Sequence, residues 1–241
     1  KYQYVCLDAK GKRWAEFVNH SWKITNEGMS LKKKIDSKSA KIGVIGLGYV
    51  GLPLSIEFAV EGFKVIGIDN DEEKVDLINS KKCYISDVSE DLLSFHVEKG
   101  SFKATTDFSN VKNIDSLFIC VPTPLNKQKD PDISYIISVM EEIKAHVHDD
   151  MMIVLESTTY PGSTRELILP YLERLNYKIG KNIFLCFSPE RIDPGNEIYN
   201  SKNTPKIIGG ITADCTKHGK NLYNKIIDKV IEVSSTETAE M

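Results

Sequence analysis

A glycine-rich turn between an apolar segment and an amphipathic segment restricts the folds that this chain can adopt. The segment Lys41–Ile45 (KIGVI) is typical of a buried strand, and the run GLGYVG follows it at once. Within that run, Gly46, Gly48 and Gly51 have the spacing G-x-G-x-x-G. From Leu52 onward, apolar residues recur with helical spacing. A strand, a tight glycine turn and a helix in this order predict the first unit of a parallel α/β sheet.

Each glycine of this turn has a separate physical task. Gly46 permits the tight turn, Gly48 lets the backbone approach a pyrophosphate, and Gly51 lets the helix pack against the strand. The N-terminus of the helix, at Tyr49 and Val50, offers unpaired N–H groups and a partial positive charge to phosphate oxygens. We therefore predict that these five residues bind a dinucleotide.

An acidic residue ends the second predicted strand. Asp69 follows Gly51 by 18 residues, where a carboxylate that binds ribose hydroxyls is expected. A carboxylate here repels a 2′-phosphate, so the cofactor is predicted to be NAD rather than NADP. The alternatives are a helix cap for Asp69, ahead of the acidic run Asp71–Glu73, and an ordinary strand-to-helix turn for the glycines. Lys74 either reaches the adenine-side ribose or is solvated.

The rest of the chain repeats this alternation of β-rich and helical segments. We predict strands near residues 41–46, 64–69, 115–121, 151–156, 183–187, 205–209 and 229–233. Helices are predicted near residues 49–62, 71–80, 87–99, 132–148, 162–176 and 211–226. Because crossovers between parallel strands are right-handed, we expect an α/β fold with a doubly wound, mostly parallel Rossmann-type sheet and helices on both faces. Its ligand site lies at the carboxyl ends of the strands.

Residues 1–28 differ from this pattern and contain both tryptophans, Trp14 and Trp22. A small hairpin around Lys10–Lys12 is the local prediction for this segment. We assign residues 1–28 to an N-terminal extension of unclear origin, with no function. Residues 29–235 are assigned to the NAD-binding Rossmann domain.

Composition and charge exclude several functional classes. The 31 basic and 34 acidic residues give a net charge of −3 and are spread along the chain, which argues against nucleic-acid binding. Lys32–Lys34 is interpreted as a solvated helix face. No segment approaches the ~18 apolar residues of a membrane span, and the first residues lack a signal peptide's apolar core, so a cytoplasmic location is expected. The five cysteines form no CxxC pair, so we expect reduced thiols and no metal site.

Three later strand ends carry polar runs that should face the same crevice as the glycine turn: Cys120–Pro124 (CVPTP), Glu156–Gly162 (ESTTYPG) and Ser188–Gly195 (SPERIDPG). With the glycine turn and the later runs PKIIGG (residues 205–210) and TAEM (residues 238–241), they resemble the UDP-glucose/GDP-mannose dehydrogenase family. The resemblance spans about residues 31–241. It is closest to the UDP-N-acetylhexosamine 6-dehydrogenase branch.

This resemblance implies a two-step oxidation of a sugar C6 alcohol to a carboxylate, with two NAD reduced per turnover and no release of the aldehyde. Such chemistry needs a base, a thiol that traps the aldehyde, and a water that hydrolyses the thioester. Thr159 matches the family's threonine that hydrogen-bonds the catalytic water, and Glu190 matches its general base or acid at C6. Thr123 and Thr158 match positions that line the cofactor on the nicotinamide side.

Simpler roles exist for the same residues. Thr158, Thr159 and Ser163 precede a predicted helix and are candidate N-caps, and Glu190 is a candidate exposed loop acid. Relatives that act on UDP-glucose often have a second glutamate four positions after the first, where this chain has Pro194–Gly195. That departure favours a UDP-N-acetylhexosamine, with UDP-GlcNAc as the first candidate substrate.

The family's catalytic lysine and nucleophilic cysteine lie beyond a run like Ala239–Met241. None of the five cysteines here has a glycine-rich neighbourhood. We therefore expect residues 236–241 to begin the central dimerisation helix, with its remainder and the UDP-binding domain absent. The chain alone should be inactive, and the full-length protein should be a homodimer that serves surface polysaccharide synthesis. The alternatives are a UDP-glucose 6-dehydrogenase, a stand-alone NAD-binding module without catalysis, or another Rossmann dehydrogenase such as one acting on a 3-hydroxyacid.

Overall fold

The computed structural model describes residues 5–7, 13–18, 21–24, 29–125, 131–190 and 204–241. Near the N-terminus, strands β1 (Val5–Leu7), β2 (Arg13–Val18) and β3 (Ser21–Ile24) form a three-stranded antiparallel sheet. The antiparallel pairing of β1 with β2 agrees with the expected hairpin, whose turn at residues 10–12 lies outside the described part of the chain.

A second sheet has eight strands and carries the rest of the fold. Its strands are β4 (Lys41–Ile45), β5 (Lys64–Ile68), β6 (Phe102–Thr105), β7 (Ser116–Ile119), β8 (Met151–Leu155), β9 (Ile183–Phe187), β10 (Lys206–Gly210) and β11 (Val230–Glu232). They lie in the order β11-β10-β9-β8-β7-β4-β5-β6. The chain leaves β4 on one side toward β5 and β6, and later returns to the other side of β4 at β7. This reversal places a crevice at the carboxyl ends of β4 and β7.

Helices cover both faces of this sheet. They are α1 (Leu31–Asp36), α2 (Gly51–Val60), α3 (Glu72–Asn79), α4 (Glu90–Glu98), α5 (Ser134–Ile143), α6 (Leu169–Arg174), α7 (Ala213–Tyr223) and α8 (Thr236–Glu240). Buried residues of α1, α2, α4 and α7 form one apolar cluster with the sheet, and those of α5 and α6 form a second cluster on the other face. The doubly wound, mostly parallel α/β architecture is therefore confirmed.

Two local predictions need correction. Strand β6 was not predicted, because Phe102–Thr105 is a short edge strand in which only alternate side chains are buried, so it lacks a continuous apolar run. The solvated interpretation of Lys32–Lys34 is wrong for Lys34. Lys34 is buried and its Nζ donates to Asp115 Oδ1 at 2.6 Å, which ties α1 to the start of β7.

The direction of β10 is the main departure from an all-parallel sheet. Strand β10 runs antiparallel to β9, whereas β11 is parallel to β10. A parallel partner for β9 would require a crossover, and no helix was predicted between residues 187 and 205. The reversed direction brings Lys206, the first residue of β10, to the carboxyl edge of the parallel strands.

Candidate functional site

A cleft of about 640 Å³ opens at the carboxyl ends of β4, β5, β7 and β8. This volume lies in the range of small-molecule and cofactor sites. The predicted site residues that line it are Gly46, Gly48, Tyr49, Val50, Asp69, Lys74, Thr123, Thr158 and Glu190. The three polar runs therefore share one crevice, as far as they are described; the part of the third run from Arg191 to Gly195 lies outside the described residues.

The three glycines of the turn are required for different reasons. Gly46 has φ +89°, and a Cβ there would lie 2.5 Å from the carbonyl oxygen of Cys120. A Cβ on Gly51 would lie 1.9 Å from the carbonyl oxygen of Gly46, so Gly51 allows α2 to pack against the turn. At Gly48, by contrast, no described atom lies within 4 Å of an added Cβ. The fold itself thus needs Gly46 and Gly51, whereas only a ligand that approaches the backbone would require Gly48.

The first turn of α2 faces the cleft without a side-chain cap. Its N-cap residue is Val50, which lines the cleft and has no polar side-chain atom. Uncapped N–H groups at a helix N-terminus bind phosphate oxygens well, since the helix dipole adds a partial positive charge there. The glycine turn and α2 therefore fit the pyrophosphate of a dinucleotide.

Asp69 is held at the end of β5 by backbone N–H groups. Its Oδ2 accepts from Leu47 N at 2.7 Å, and its Oδ1 accepts from Asp71 N at 3.0 Å. The alternative in which Asp69 caps the helix is wrong, because Asp71 caps α3 by accepting from the N–H groups of Glu73 and Lys74. Asp69 is instead a buried carboxylate on the cleft wall. This is where a ribose-binding acid belongs.

Two further side chains complete this end of the cleft. Lys74 Nζ lies 3.8 Å from Asp69 Oδ2 and 3.7 Å from Asp71 Oδ2. Tyr84, which sequence reasoning missed, donates its hydroxyl to the carbonyl oxygen of Leu47 at 2.6 Å. Burial raises the pKa of the Tyr84 phenol, and the charge of Asp69 adds to this effect. Tyr84 therefore stays protonated and acts as a donor that supports the turn.

The opposite wall is formed by the segments that follow β7 and β8. Thr123 donates its hydroxyl to the carbonyl oxygen of Thr158, and Ser157 donates to the carbonyl oxygen of Val121 at 2.8 Å. These bonds fix the two segments relative to each other. Thr159, the next residue along the chain, is not among the residues that line the cleft, and its Oγ1 is buried with no hydrogen-bond partner among the described residues. A buried hydroxyl without a partner costs about 1–3 kcal/mol, so this site favours a polar ligand or water.

A π-helical segment, Thr164–Ile168, follows this wall and leads directly into α6, and its N-terminus is capped from a distant part of the chain. The carboxylate of Glu240 in α8 accepts from Gly162 N at 2.5 Å, Ser163 Oγ at 3.0 Å and Thr164 N at 2.9 Å. The alternative in which Thr158, Thr159 or Ser163 caps this helix is therefore wrong. Ser163, the residue in the N-cap position, makes no side-chain capping bond of its own.

A cluster of buried charged groups lies where the cleft ends near β8 and β10. Lys206 donates its Nζ to Glu156 Oε1, and Tyr223 of α7 donates its hydroxyl to Glu156 Oε2. The same Lys206 Nζ lies 3.6 Å from Glu190 Oε2. Glu190 is thus one member of an ordered cluster on the cleft wall. The alternative of an exposed loop acid is wrong, since only 16% of its side chain is exposed.

Burial dominates the titration of this cluster. It raises the pKa of Glu156 to about 7, because desolvation outweighs the stabilising charge of Lys206 and the charge of Glu190 acts in the same direction as desolvation. Burial alone would lower the pKa of Lys206, but the carboxylates of Glu156 and Glu190 overcome this effect and raise it. The lysine therefore stays charged at neutral pH, and Glu156 is the group that titrates there.

Sequence reasoning missed Glu156, Lys206 and Tyr223 as members of the site. Glu156 and Lys206 stand within runs that the sequence analysis singled out, but neither received a role. A charged residue directly at the end of the apolar strand MMIVL was an available signal for Glu156. Tyr223 gave no such signal, because an aromatic residue in an amphipathic helix is ordinarily a core residue.

Two other kinds of site are absent from the described residues. Within the described ranges, no group of three or more His, Cys, Asp or Glu side chains is arranged to hold a metal ion. Among the helices of the same ranges, none has the length and apolar character needed to cross a membrane.

Fold and cleft together define a Rossmann-type dinucleotide-binding domain. The family model for the NAD binding domain of the UDP-glucose/GDP-mannose dehydrogenase family matches residues 40–227. The chain belongs to this family, as the sequence motifs indicated, and its cofactor is NAD.

Curated relatives support this assignment. The chain is 33% identical over 217 residues to the UDP-N-acetyl-D-mannosamine dehydrogenase of Methanococcus aeolicus, with 88% of this chain and 48% of the relative covered. It is 34% identical over 189 residues to the UDP-N-acetyl-D-glucosamine 6-dehydrogenase of Salmonella typhi, with 78% and 43% covered. The chain thus spans about half the length of these relatives.

A solved structure agrees with both findings. The structure of the UDP-N-acetyl-mannosamine dehydrogenase Cap5O from Staphylococcus aureus matches with a TM-score of 0.77 and 31% identity, over 83% of this chain and 49% of that one.

Proposed function

We propose that this chain is the NAD-binding half of a nucleotide-sugar 6-dehydrogenase, which oxidises the C6 alcohol of a UDP-N-acetylhexosamine to the carboxylate in two NAD-dependent steps. The observation that carries the proposal is the position of Glu190, whose carboxylate lines the same cleft as Gly48 and Asp69. A candidate base therefore stands beside the cofactor groove. The family membership and the names of the relatives support the reaction class.

In this proposal the cofactor lies along the cleft from β5 to β8. Gly46, Gly48, Tyr49, Val50 and Gly51 form the pyrophosphate site, and Asp69 binds the adenosine ribose with Lys74 beside it. Thr123 and Thr158 line the nicotinamide side. Bound NAD supplies the hydride acceptor for both oxidation steps.

Glu190 and Thr159 carry the proposed chemistry of this half. Glu190 accepts the proton of the C6 alcohol, and the base must be ionised to do so. Thr159 donates its hydroxyl to the water that hydrolyses the later thioester. Its buried and unpartnered Oγ1 supports this role, because a bound water would satisfy it.

The substrate is proposed to be a UDP-N-acetylhexosamine, with UDP-GlcNAc as the first candidate. The run Pro194–Gly195, which lies outside the described residues, stands where UDP-glucose enzymes often have a second glutamate. Relatives named for UDP-N-acetyl-D-mannosamine and for UDP-N-acetyl-D-glucosamine have similar identities to this chain, 33% and 34%. UDP-ManNAc is therefore the second candidate.

A substrate panel tests the proposal. The whole protein is incubated with NAD and, separately, UDP-GlcNAc, UDP-ManNAc, UDP-GalNAc and UDP-glucose, and NADH formation is followed. We expect turnover with one or more of the N-acetylated sugars and two NADH per sugar. The 241-residue chain should bind NAD and turn over nothing. NAD binding without NADH formation from any sugar, in the whole protein, would favour a non-catalytic binding module instead.

The setting of the whole protein forms part of the same proposal. We propose a cytoplasmic homodimer that supplies an activated uronic sugar for surface polysaccharide. The five free cysteines support a reducing compartment. Light scattering of the whole protein tests the dimer.

A further inference from the structure

The cluster behind Glu190 depends on the reversed direction of β10. Because β10 is antiparallel to β9, its first residue, Lys206, reaches the edge of the sheet where Glu156 follows β8 and Glu190 follows β9. A parallel β10 would place Lys206 at the opposite edge, away from the cleft. The topology thus brings a lysine to two carboxylates that are separated from it by 50 and 16 residues.

The ammonium group of Lys206 contacts Glu156 and also lies near Glu190. Its side chain is 9% exposed, and its Nζ donates to Glu156, whose side chain is 1% exposed. Tyr223 fixes the second oxygen of Glu156, and its ring lies 5.8 Å from Lys206 Nζ. The ammonium group also lies 3.6 Å from Glu190 Oε2. Glu156 and Tyr223 thus fix the lysine, and the lysine faces the carboxylate on the cleft wall.

The surroundings of this cluster are apolar. Beside it lies a cavity of about 40 Å³, whose apolar walls come from Pro53 and Leu54 of α2 and from Ile226 and Ile227 after α7. The desolvation of a buried ion pair costs about as much free energy as the attraction between its charges provides. Replacing such a pair with apolar residues of similar volume is often neutral or stabilising. Stability therefore gives no reason for a lysine at this position, whereas the need to hold the carboxyl group of Glu190 in one place does.

We propose that Lys206 is a positioning residue for Glu190: fixed by Glu156 and Tyr223, it holds the Glu190 carboxyl group at the cleft wall. This inference rests on the proposed function, in which Glu190 is the base. It assigns Lys206 no contact with substrate or cofactor.

The titratable groups that face Glu156 come from four elements. They are Lys206 of β10, Glu190 after β9, Tyr223 of α7 and Cys120 after β7, while Glu57 of α2 lines the adjacent cavity. Burial raises the pKa of both Cys120 and Tyr223 well above the usual values, so these two stay neutral. The ammonium group of Lys206 therefore faces two carboxyl groups, those of Glu156 and Glu190.

The first test needs only this chain and no catalysis. The carboxyl carbons of glutamate are labelled with ¹³C, and the Glu156 titration is followed by NMR in wild type and in Glu190→Gln. If Lys206 bridges the two carboxyl groups, then in Glu190→Gln its positive charge interacts with Glu156 only. The pKa of Glu156 should then fall from about 7 by roughly one unit.

Glu142→Gln is the matched control for this titration, since Glu142 lines the same cleft from α5. It should leave the Glu156 titration unchanged. An unchanged titration in Glu190→Gln would overturn the proposal, because it would show that the two carboxylates do not share the lysine.

The second test follows NADH formation by the whole protein. Lys206→Met alone leaves Glu156 buried without its cation, so the variant for activity is the pair Glu156→Gln with Lys206→Met, which removes both charges. We expect the kcat of this double variant to fall about 10- to 100-fold, with the KM for NAD unchanged. The acidic limb of its kcat–pH profile should lie at higher pH than that of Glu156→Gln alone. Lys206→Arg, which keeps the positive charge beside both carboxyl groups, should retain most of the wild-type activity.

The outcomes distinguish the positioning role of Lys206 from the proposed function. A double variant with wild-type kcat and pH profile would overturn the positioning role. Loss of activity in strict proportion to loss of folded protein, with no displacement of the acidic limb, would also overturn it. Absence of NADH formation by the wild type would instead overturn the proposed function, whatever the NMR titration shows.

Discussion

At the β4–β5 end of the cleft, the groups placed for a ligand are mainly backbone N–H groups, whereas at the β8–β10 end they are side chains. Gly46, Gly48 and Gly51 lie within one turn, and their spacing alone predicts that this turn binds a dinucleotide. Lys206 and Tyr223 are 50 and 67 residues from Glu156, their common partner. The first end therefore tolerates little change in backbone shape, and the second end depends on the balance of charge. Substitutions at the two ends should therefore affect stability, NAD affinity and activity differently.

The largest effect is expected at the side-chain end, in the whole protein. Glu190→Gln keeps the shape of the side chain but removes the base, so kcat should fall about 10²- to 10⁴-fold. NAD affinity of the variant should stay within a factor of two or so of the wild type, since the phosphate end is untouched. Steady-state kinetics and NAD titration measure the two quantities. Full activity in Glu190→Gln would place the base elsewhere.

Stability should respond strongly to the loss of one charge in the cluster. Lys206→Met leaves Glu156 buried without its cation, and we expect a loss of about 3–5 kcal/mol in the free energy of unfolding. Removing both partners, by Glu156→Gln with Lys206→Met, should cost much less. Urea unfolding of the 241-residue chain measures both. Equal losses in the single and double variants would mean that the charge itself contributes little.

The pH dependence of stability should carry the signature of Glu156. The pKa of Glu156 rises from 4.5 to about 7 on folding, so the folded chain binds a proton that the unfolded chain has released between these values. This contribution is fully present below the unfolded pKa and is lost as the pH rises through about 7. The resulting difference in the free energy of unfolding across this window is roughly 3 kcal/mol. Urea unfolding at several pH values should show it in wild type and not in Glu156→Gln.

The glycines offer the smallest effect and the clearest comparison within one turn. Gly48→Ala should change the free energy of unfolding by less than about 0.5 kcal/mol, because its Cβ meets no described atom within 4 Å. NAD affinity should nevertheless fall about tenfold, which is about 1.4 kcal/mol. Gly51→Ala should instead lower the stability itself, by about 1–3 kcal/mol. Calorimetry with NAD and urea unfolding separate these cases, and unimpaired NAD binding by Gly48→Ala would leave an ordinary strand-to-helix turn as the better interpretation.

Elements whose cause is local were predicted well. The strand, turn and helix around Gly46–Gly51 and the acid at Asp69 follow from periodicity and spacing, and the structure has them where expected. Edge strand β6 was missed, because short half-buried strands lack a long apolar run. Helix ends were predicted several residues too long, as with α5 at Ser134–Ile143, since the apolar period continues into segments that turn away.

Contacts between distant residues were beyond sequence reasoning. Glu240 caps a helix whose N-terminus lies 76 to 78 residues earlier, in place of the local threonines and serine that the sequence offered. In the sequence, nothing distinguishes Lys34 from its two solvated neighbours, and only the tertiary structure shows that it pairs with Asp115. In both cases only the packing of distant segments decided which partner was used.

By itself, the sequence determined the Rossmann architecture, the family and NAD as the cofactor, because glycine spacing, strand ends and helical periods are properties of neighbouring residues. Tertiary structure alone decided that β10 runs antiparallel and that Lys206 meets Glu156 and Glu190 at the cleft. The physical reason is that a buried charge is stable only beside a partner. The choice of that partner depends on how strands far apart in the chain are arranged in the sheet.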